Sequence, residues 1–397
     1  MQMIGTIVIR TVMVCLVLGV IGAIRDPDKG IGFEFCEGVR QLGTIFIPIA
    51  GVMASLPYMQ SIITAAFSGL SRLMGHDLAM WAGIILPPDM GGNLLANTLA
   101  STPEAWIIAL FTAFILGSGV TFGIPLSISM VPKRDHRELA MGILCGLIAC
   151  PVGITVSCAL CMYTDPAIRA EVSTVLPAAE HLHLTWPVIL LNLLPVYILC
   201  ALIAVIICLF PEKAVKGFLV FGRVLTGLLY VIFALAAVEY FTGLFSALVP
   251  GWRFDPIIAD AQDYNRALET AGYCALMLGG AYPMMYLLQK YGGKGIAKIG
   301  EKLGLSAEGC LGILASSVTL VALFRAFEKM PPIDKARSAA WAISSGYLLA
   351  DHLVYCYNFQ PQLYGCLLIG KLTGGILSVL LVSPLMKRHS FAESETA

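Results

Sequence analysis

The sequence predicts an all-α polytopic membrane protein, and three observations predict it. Only 13% of its 397 residues are charged, about half the usual share of a soluble domain. Hydrophobic residues make up 58% and mean hydropathy is +0.83, more apolar surface than a soluble fold of this size can hide. That apolar content is gathered into eleven segments, most of them near the ~20 residues a helix needs to cross a bilayer. Net charge is zero, from 25 basic and 25 acidic residues. No basic tract occurs, which excludes a nucleic-acid-binding chain. Of the twelve cysteines all but Cys36 lie in apolar runs, where they read as small buried hydrophobes rather than disulfide partners.

Nine segments read as full transmembrane helices: 4–24, 42–66, 105–131, 138–162, 185–209, 215–240, 268–289, 335–357 and 362–386. Residues 4–24 lack a basic leader region and a small-residue cleavage site, so they read as a first span rather than a signal peptide. Two further segments, 78–101 and 308–327, are apolar but interrupted, the first by Pro87-Pro88-Asp89-Met90-Gly91-Gly92-Asn93, the second by Ser316-Ser317-Val318-Thr319. The whole chain, 1–397, reads as one transporter domain with a loose polar tail at 390–397.

Charge sidedness refines this. If every segment crosses, Lys and Arg fall equally on both sides, against the cytoplasmic excess that membrane proteins show. If 78–101 and 308–327 are re-entrant hairpins from opposite faces, eighteen fall on one side. Four, Arg72, Arg169, Arg253 and Arg266, fall on the other. The expectation is nine crossings, two hairpins and a cytoplasmic C-terminus. Paired broken segments are how many transporters build a site at the membrane midplane. Gly75, Gly83 and Ile84 match Gly304, Gly312 and Ile313 at one constant offset; residues 132–151 match 332–351 at five positions in twenty, at a different offset.

Ionisable groups inside a bilayer are expensive and face a partner or a cavity. Asp89 lies in the first break, where Pro88 stops the helix and Gly91 and Gly92 let the chain turn. Asp351 and His352 lie in 335–357, Lys371 near the middle of 362–386, and Glu37 at the approach to the second span. Together these point to a cation site. Carboxylates would balance an ammonium, Asn93, Asn97, Ser316, Ser317 and Thr319 would hold a neutral polar end, and Tyr282, Tyr355 or Tyr357 would add cation–π attraction. Pro88, Gly91, Gly92, Pro283 and Lys371 are the expected hinge and structural residues. Each has a plainer alternative: Asp351 and Lys371 as a buried salt bridge, His352 as a satisfied core histidine, Asp89 as a helix cap, and Glu37, Arg325, Glu328 and Lys329 as interfacial charges. No Walker loop, dinucleotide fingerprint or HExxH occurs. Cys158-Ala159-Leu160-Cys161 lacks a second ligand pair, so neither metal nor cofactor is expected.

The chain resembles the ethanolamine permeases of bacterial ethanolamine-utilisation operons. The resemblance rests on Glu37-Gly38, Asp89-Met90-Gly91-Gly92, Asn192 with Pro195-Val196, Pro211-Glu212-Lys213 with Gly217-Phe218, Gly280-Ala281-Tyr282-Pro283-Met284, Asp351-His352-Leu353, and Gly370-Lys371-Leu372 with Gly374-Gly375. Pro87-Pro88 stands where the family pattern has a small-residue pair. Ser316-Ser317-Val318-Thr319 stands where it has an Asn-Asn-Ile-Pro type of break. The resemblance implies a non-enzymatic permease of the bacterial inner membrane that admits ethanolamine, with the lipid bilayer as its other partner and homo-oligomers left open. Two other readings remain: an ion-coupled carrier of another small amine or amino alcohol, and an intramembrane enzyme acting on a lipid headgroup through Asp351 and His352.

Overall fold

The computed structural model describes residues 2–395 apart from 262, 265, 294, 296, 297, 299, 301–303 and 350. Among the described residues the chain is helical; its only extended pairing is a single bridge between Ile168 and Glu180. Seven helices are long and apolar enough to cross a membrane, and one bent pair passes the same test when its halves are joined. The protein is thus an all-α, multi-pass membrane protein. Of the basic residues counted above, Lys294 and Lys302 lie outside the described residues, as do residues 396 and 397 of the tail.

α1 (Gln2–Arg25) leads to α2 (Gly30–Ala54) and α3 (Leu56–Met74). The last two bend by 62° inside the segment read as one span, 42–66. The cause is local. Ser55 Oγ takes the Gly51 carbonyl at 2.7 Å, competing with the helix ladder, and Pro57 supplies no N–H of its own. The carbonyl of Ala54 is then free to accept the amide of Asp255 at 2.9 Å, from a distant loop.

Three helices are split. The first, α4 (Ala79–Ile85) and α5 (Asn93–Leu99), breaks at the double proline. Leu86 is extended, as a residue before proline prefers, and Gly91 adopts φ +87°. The second joins Ala307–Ser316 to Leu320–Ala326 and breaks without proline. Ser316 Oγ and Ser317 Oγ both bond the Ile313 carbonyl, at 2.8 and 3.0 Å, and Thr319 is extended. In both, the two arms pack side by side as a hairpin; an arm of seven residues is only about 10 Å long. The third joins Pro332–Ser345 to Asp351–Phe359. Its arms do not fold onto each other, so it runs on through its break. The sequence read this segment as continuous; the structure interrupts it at Gly346 and Tyr347, the latter at φ +60°. Asp351 therefore opens a new helical arm rather than sitting in an unbroken span.

Broken helices expose backbone groups that lipid cannot satisfy. Here the second and third breaks satisfy each other: Tyr347 N donates to Ser316 O at 3.0 Å and Leu349 N to Ser317 O at 2.7 Å. The first is closed by Gly92 N to Pro87 O at 3.0 Å and by the Thr121 hydroxyl on Ile85 O. Thr121 belongs to the span Pro103–Met130, in which two wide π turns, Ala113–Gly117 and Gly119–Gly123, lie between α6 (Pro103–Thr112) and α7 (Ile124–Met130).

The remaining helices frame these elements. α2 packs along α12 (Ala267–Leu287), and the C-terminal helix (Tyr364–Glu395) packs along α8 (His136–Thr164). α9 (Trp186–Leu209), α10 (Pro211–Thr242) and the short α11 (Leu244–Leu248) connect α8 to α12. Much of the apolar surface of α1, α9 and α10 remains exposed, as a lipid-facing helix requires.

Candidate functional site

The three breaks and the π turns meet at one cavity of about 170 Å³, room for several waters or a small organic molecule. Its wall takes Asp89 and Met90 from the first break, Thr319 from the second, and Tyr347, Asp351 and His352 from the third. Ser118 lies between the two π turns and Phe122 in the second; Gln41, Thr44 and Pro48 come from α2, and Leu278 and Tyr282 from α12.

Five of the residues expected to bind substrate thus face one space: Asp89, Asp351, His352, Thr319 and Tyr282. The Asp89 and Asp351 carboxylates are close enough to repel each other. The backbone N–H groups of Asp89 and Met90 face the Asp89 carboxylate. Among the described residues Asp351 has no hydrogen-bond or salt-bridge partner. His352 is 3% exposed. Its Nε2 lies 2.9 Å from Ser118 Oγ, and its ring packs edge-on to Phe114 and tilted against Tyr347. Its Nδ1 has no partner.

Asn93, Ser316 and Ser317 lie behind the wall, and Asn97, Tyr355 and Tyr357 are likewise absent from it. Asn93 is fully buried and its amide is engaged: Oδ1 accepts from Trp106 Nε1 at 2.8 Å and Nδ2 donates to Tyr355 Oη at 3.3 Å. Ser316 and Ser317 spend their hydroxyls on Ile313 O, as above, and Ser317 Oγ also accepts from Trp341 Nε1 at 3.4 Å. Pro88, Gly91 and Gly92 are buried in the first break, and Pro283 lies within α12. Glu37 pairs with Arg40 at 3.5 Å and accepts from Gln41 at 3.3 Å, and does not line the cavity.

Lys371 corrects one alternative. It makes no salt bridge with Asp351. Its ammonium, 1% exposed, donates to Gly346 O at 2.8 Å, capping the arm Pro332–Ser345 with a cation at the end where carbonyls are left unpaired. Ser345 Oγ returns a bond to the Lys371 carbonyl. Lys371 is also within electrostatic reach of Asp89. With all three ionised, the site carries one net negative charge.

Sequence reasoning missed Ser118, Phe122, Gln41, Thr44 and Tyr347. A signal for the first was present in Gly117-Ser118-Gly119, a small polar triplet inside an otherwise apolar run.

The profile of the family described as "Ethanolamine utilisation protein, EutH" matches residues 4–385. The chain belongs to the EutH family. It is 28% identical to the "Probable ethanolamine permease EutH" of Salmonella typhimurium, over 95% of this chain and 90% of that protein. It is likewise 28% identical to the Listeria monocytogenes protein of the same description, over 99% and 98%. It is 26% identical to the "Uncharacterized protein YxeR" of Bacillus subtilis, over 87% and 85%. No solved structure matches the chain. The match to EutH spans every residue that lines the cavity, from Gln41 to His352, and Lys371 behind it.

Proposed function

We propose that the chain carries ethanolamine across the bacterial cytoplasmic membrane. Protonated ethanolamine is a monocation with one hydroxyl, and with all three groups ionised the site is one positive charge short of neutrality. The observation that carries the reading is the pairing of Asp89 and Asp351 on one small cavity, with Lys371 turned away to a backbone carbonyl. The ammonium lies between the two carboxylates. Thr319, Tyr282 and Gln41 supply hydroxyl and amide groups for the alcohol. The relatives' printed names, probable ethanolamine permeases, support this substrate.

The hairpins enter and leave on opposite faces, and rocking about the cavity exposes it alternately. The basic ends of α2, α12 and Pro103–Met130, marked by Lys29, Lys290 and Lys133, are cytoplasmic, as is the C-terminus. The test is uptake of labelled ethanolamine by purified protein in liposomes. Uptake no faster than in protein-free liposomes would sink the proposal.

One observation favours a wider substrate range. Phe122, Tyr282 and Tyr347 bring three aromatic rings to the cavity, and aromatic faces suit alkylated ammonium groups. Competition by choline and serinol against labelled ethanolamine separates the two readings: the narrow reading predicts that only unlabelled ethanolamine competes.

A further inference from the structure

We infer that the chain consists of two equivalent units of opposite orientation, and that this structure is the state open toward the basic face, sealed on the other by Trp106, Asn93 and Tyr355. The inference rests on reading the cavity as a transport site and adds the gate to it.

The first observation is a constant shift of 229 residues, the separation of Gly75 from Gly304. Both glycines have left-handed φ, +75° and +72°, and each precedes a hairpin. The same shift pairs Pro103 with Pro332, each at the first turn of the helix that follows its hairpin. It pairs Gly117 with Gly346 at the irregularities of those helices, and Met130 with Phe359 at their ends. It pairs Pro132 with Pro361, each beside a 3-10 turn that opens a long helix. Packing repeats too. A Cβ on Gly83 would meet Ala109 O at 2.2 Å, and one on Gly312 would meet Ser338 Oγ at 3.2 Å; Ala109 and Ser338 are themselves 229 apart. α1 packs on α12 as α10 packs on α2. The other sequence match, 132–151 with 332–351, pairs an unbroken helix with a split one and goes no further.

With hairpins that do not cross, five crossings separate the start of α2 from the start of α12: the bent pair, Pro103–Met130, Lys133–Thr164, Trp186–Leu209 and Leu219–Thr242. An odd number inverts the second unit. The cavity lies on the axis relating them, because three related pairs line it: Met90 with Thr319, Ser118 with Tyr347, and Phe122 with Asp351.

The second observation is that the cavity is lopsided. Gln41, Phe122 and Tyr282 lie in the halves of their helices nearest the basic ends, and Phe122 is 42% exposed. In the opposite halves Trp106, Asn93 and Tyr355 are buried and bonded to one another, with Phe114 and Phe359 packed on Tyr355. Ile45 lines the cavity; its counterpart 229 residues on, Cys274, is 2% exposed and closed in. Exchange of the two units' conformations would bury Ile45 and open Cys274 to the other face.

The test is labelling by a membrane-impermeant maleimide on right-side-out and inverted vesicles, read by peptide mass spectrometry. Ile45→Cys is expected to label from the basic face. Cys274 is expected to resist reagent from the opposite face in the parent, and to label several-fold faster in Trp106→Phe and Tyr355→Phe, which each delete one bond of the seal. Should one of these fail to insert, the other suffices. Cys274 labelling equally fast in parent and variants, or Ile45→Cys labelling from the opposite face alone, would overturn the inference. Ethanolamine takes no part in the labelling, so failed uptake with normal labelling overturns the substrate and leaves the gate.

Discussion

The Lys371 ammonium donates to the Gly346 carbonyl at 2.8 Å, across the break that also carries Tyr347 and Asp351. A helical arm that ends inside the protein leaves carbonyls without partners, and Lys371 satisfies one of them with a charge. Lys371→Met keeps the stem and removes the donor. An unsatisfied buried acceptor costs about 1–3 kcal/mol, so a lowered midpoint of thermal unfolding in detergent is expected, together with reduced ethanolamine uptake. Unchanged melting would show that Gly346 finds another partner.

Asp89→Asn and Asp351→Asn each remove one charge from the cavity wall with little change of shape. A hydrogen bond to a charged group contributes about 1.5–3 kcal/mol, or roughly 10- to 100-fold in affinity. A loss of uptake of that order is expected for each, with melting midpoints close to the parent's. Normal transport by both variants would remove the carboxylates from the site.

Gly91 holds φ +87°, and a Cβ there would lie 2.5 Å from Val52 Cγ1. Gly91→Ala combines a left-handed backbone, about 1–2 kcal/mol unfavourable for an L-residue, with a clash against α2. Lower yield of folded protein is expected. Gly217→Ala is the control: nothing lies within 4 Å of its Cβ position, and yield should hold.

His76 sits in the short turn after α3, with Nε2 3.1 Å from Ser71 Oγ. Burial holds its imidazole below the ordinary histidine range, against the raising effect of Asp77. A depressed folded-state value means that the folded protein binds its proton less readily than the unfolded chain. That stability is present above the ordinary histidine value of about 6.5 and is lost as pH falls through the folded value. The parent should therefore melt at lower temperature at pH 5.5 than at pH 7.5, and His76→Gln should flatten that difference. An unchanged difference in the variant would assign the pH effect to other groups.

The fold was legible where apolar length alone decides it, and the first break where proline and glycine announce it. The break at Gly346 was not, because it depends on Lys371, Ser316 and Ser317 reaching it from other helices. The kink at Ser55 depends on a serine hydroxyl, a signal that is common and seldom decisive. In the site, Asp89, Asp351 and His352 were legible as charge and imidazole in apolar surroundings. Asn93, Ser316 and Ser317 looked equally suitable, since a sequence does not disclose that Trp106, Tyr355 and Ile313 already occupy their polar atoms. Phe122 and Thr44 carry no mark that separates a cavity wall from a lipid-facing turn.

The mutual bonding of the second and third breaks has a mechanical consequence. Tyr347 with Ser316, and Leu349 with Ser317, weld two of the split helices into one block, and Asp351 rides on it. Asp89 rides on a different block, fastened to Pro103–Met130 through Thr121. The two carboxylates therefore face each other across a seam that only side-chain bonds bridge in the site, His352 to Ser118 and Asn93 to Tyr355. Two ionised carboxylates there would repel each other across the seam. A cation bound as proposed would turn that repulsion into a clasp, so cargo itself would set whether the blocks travel together.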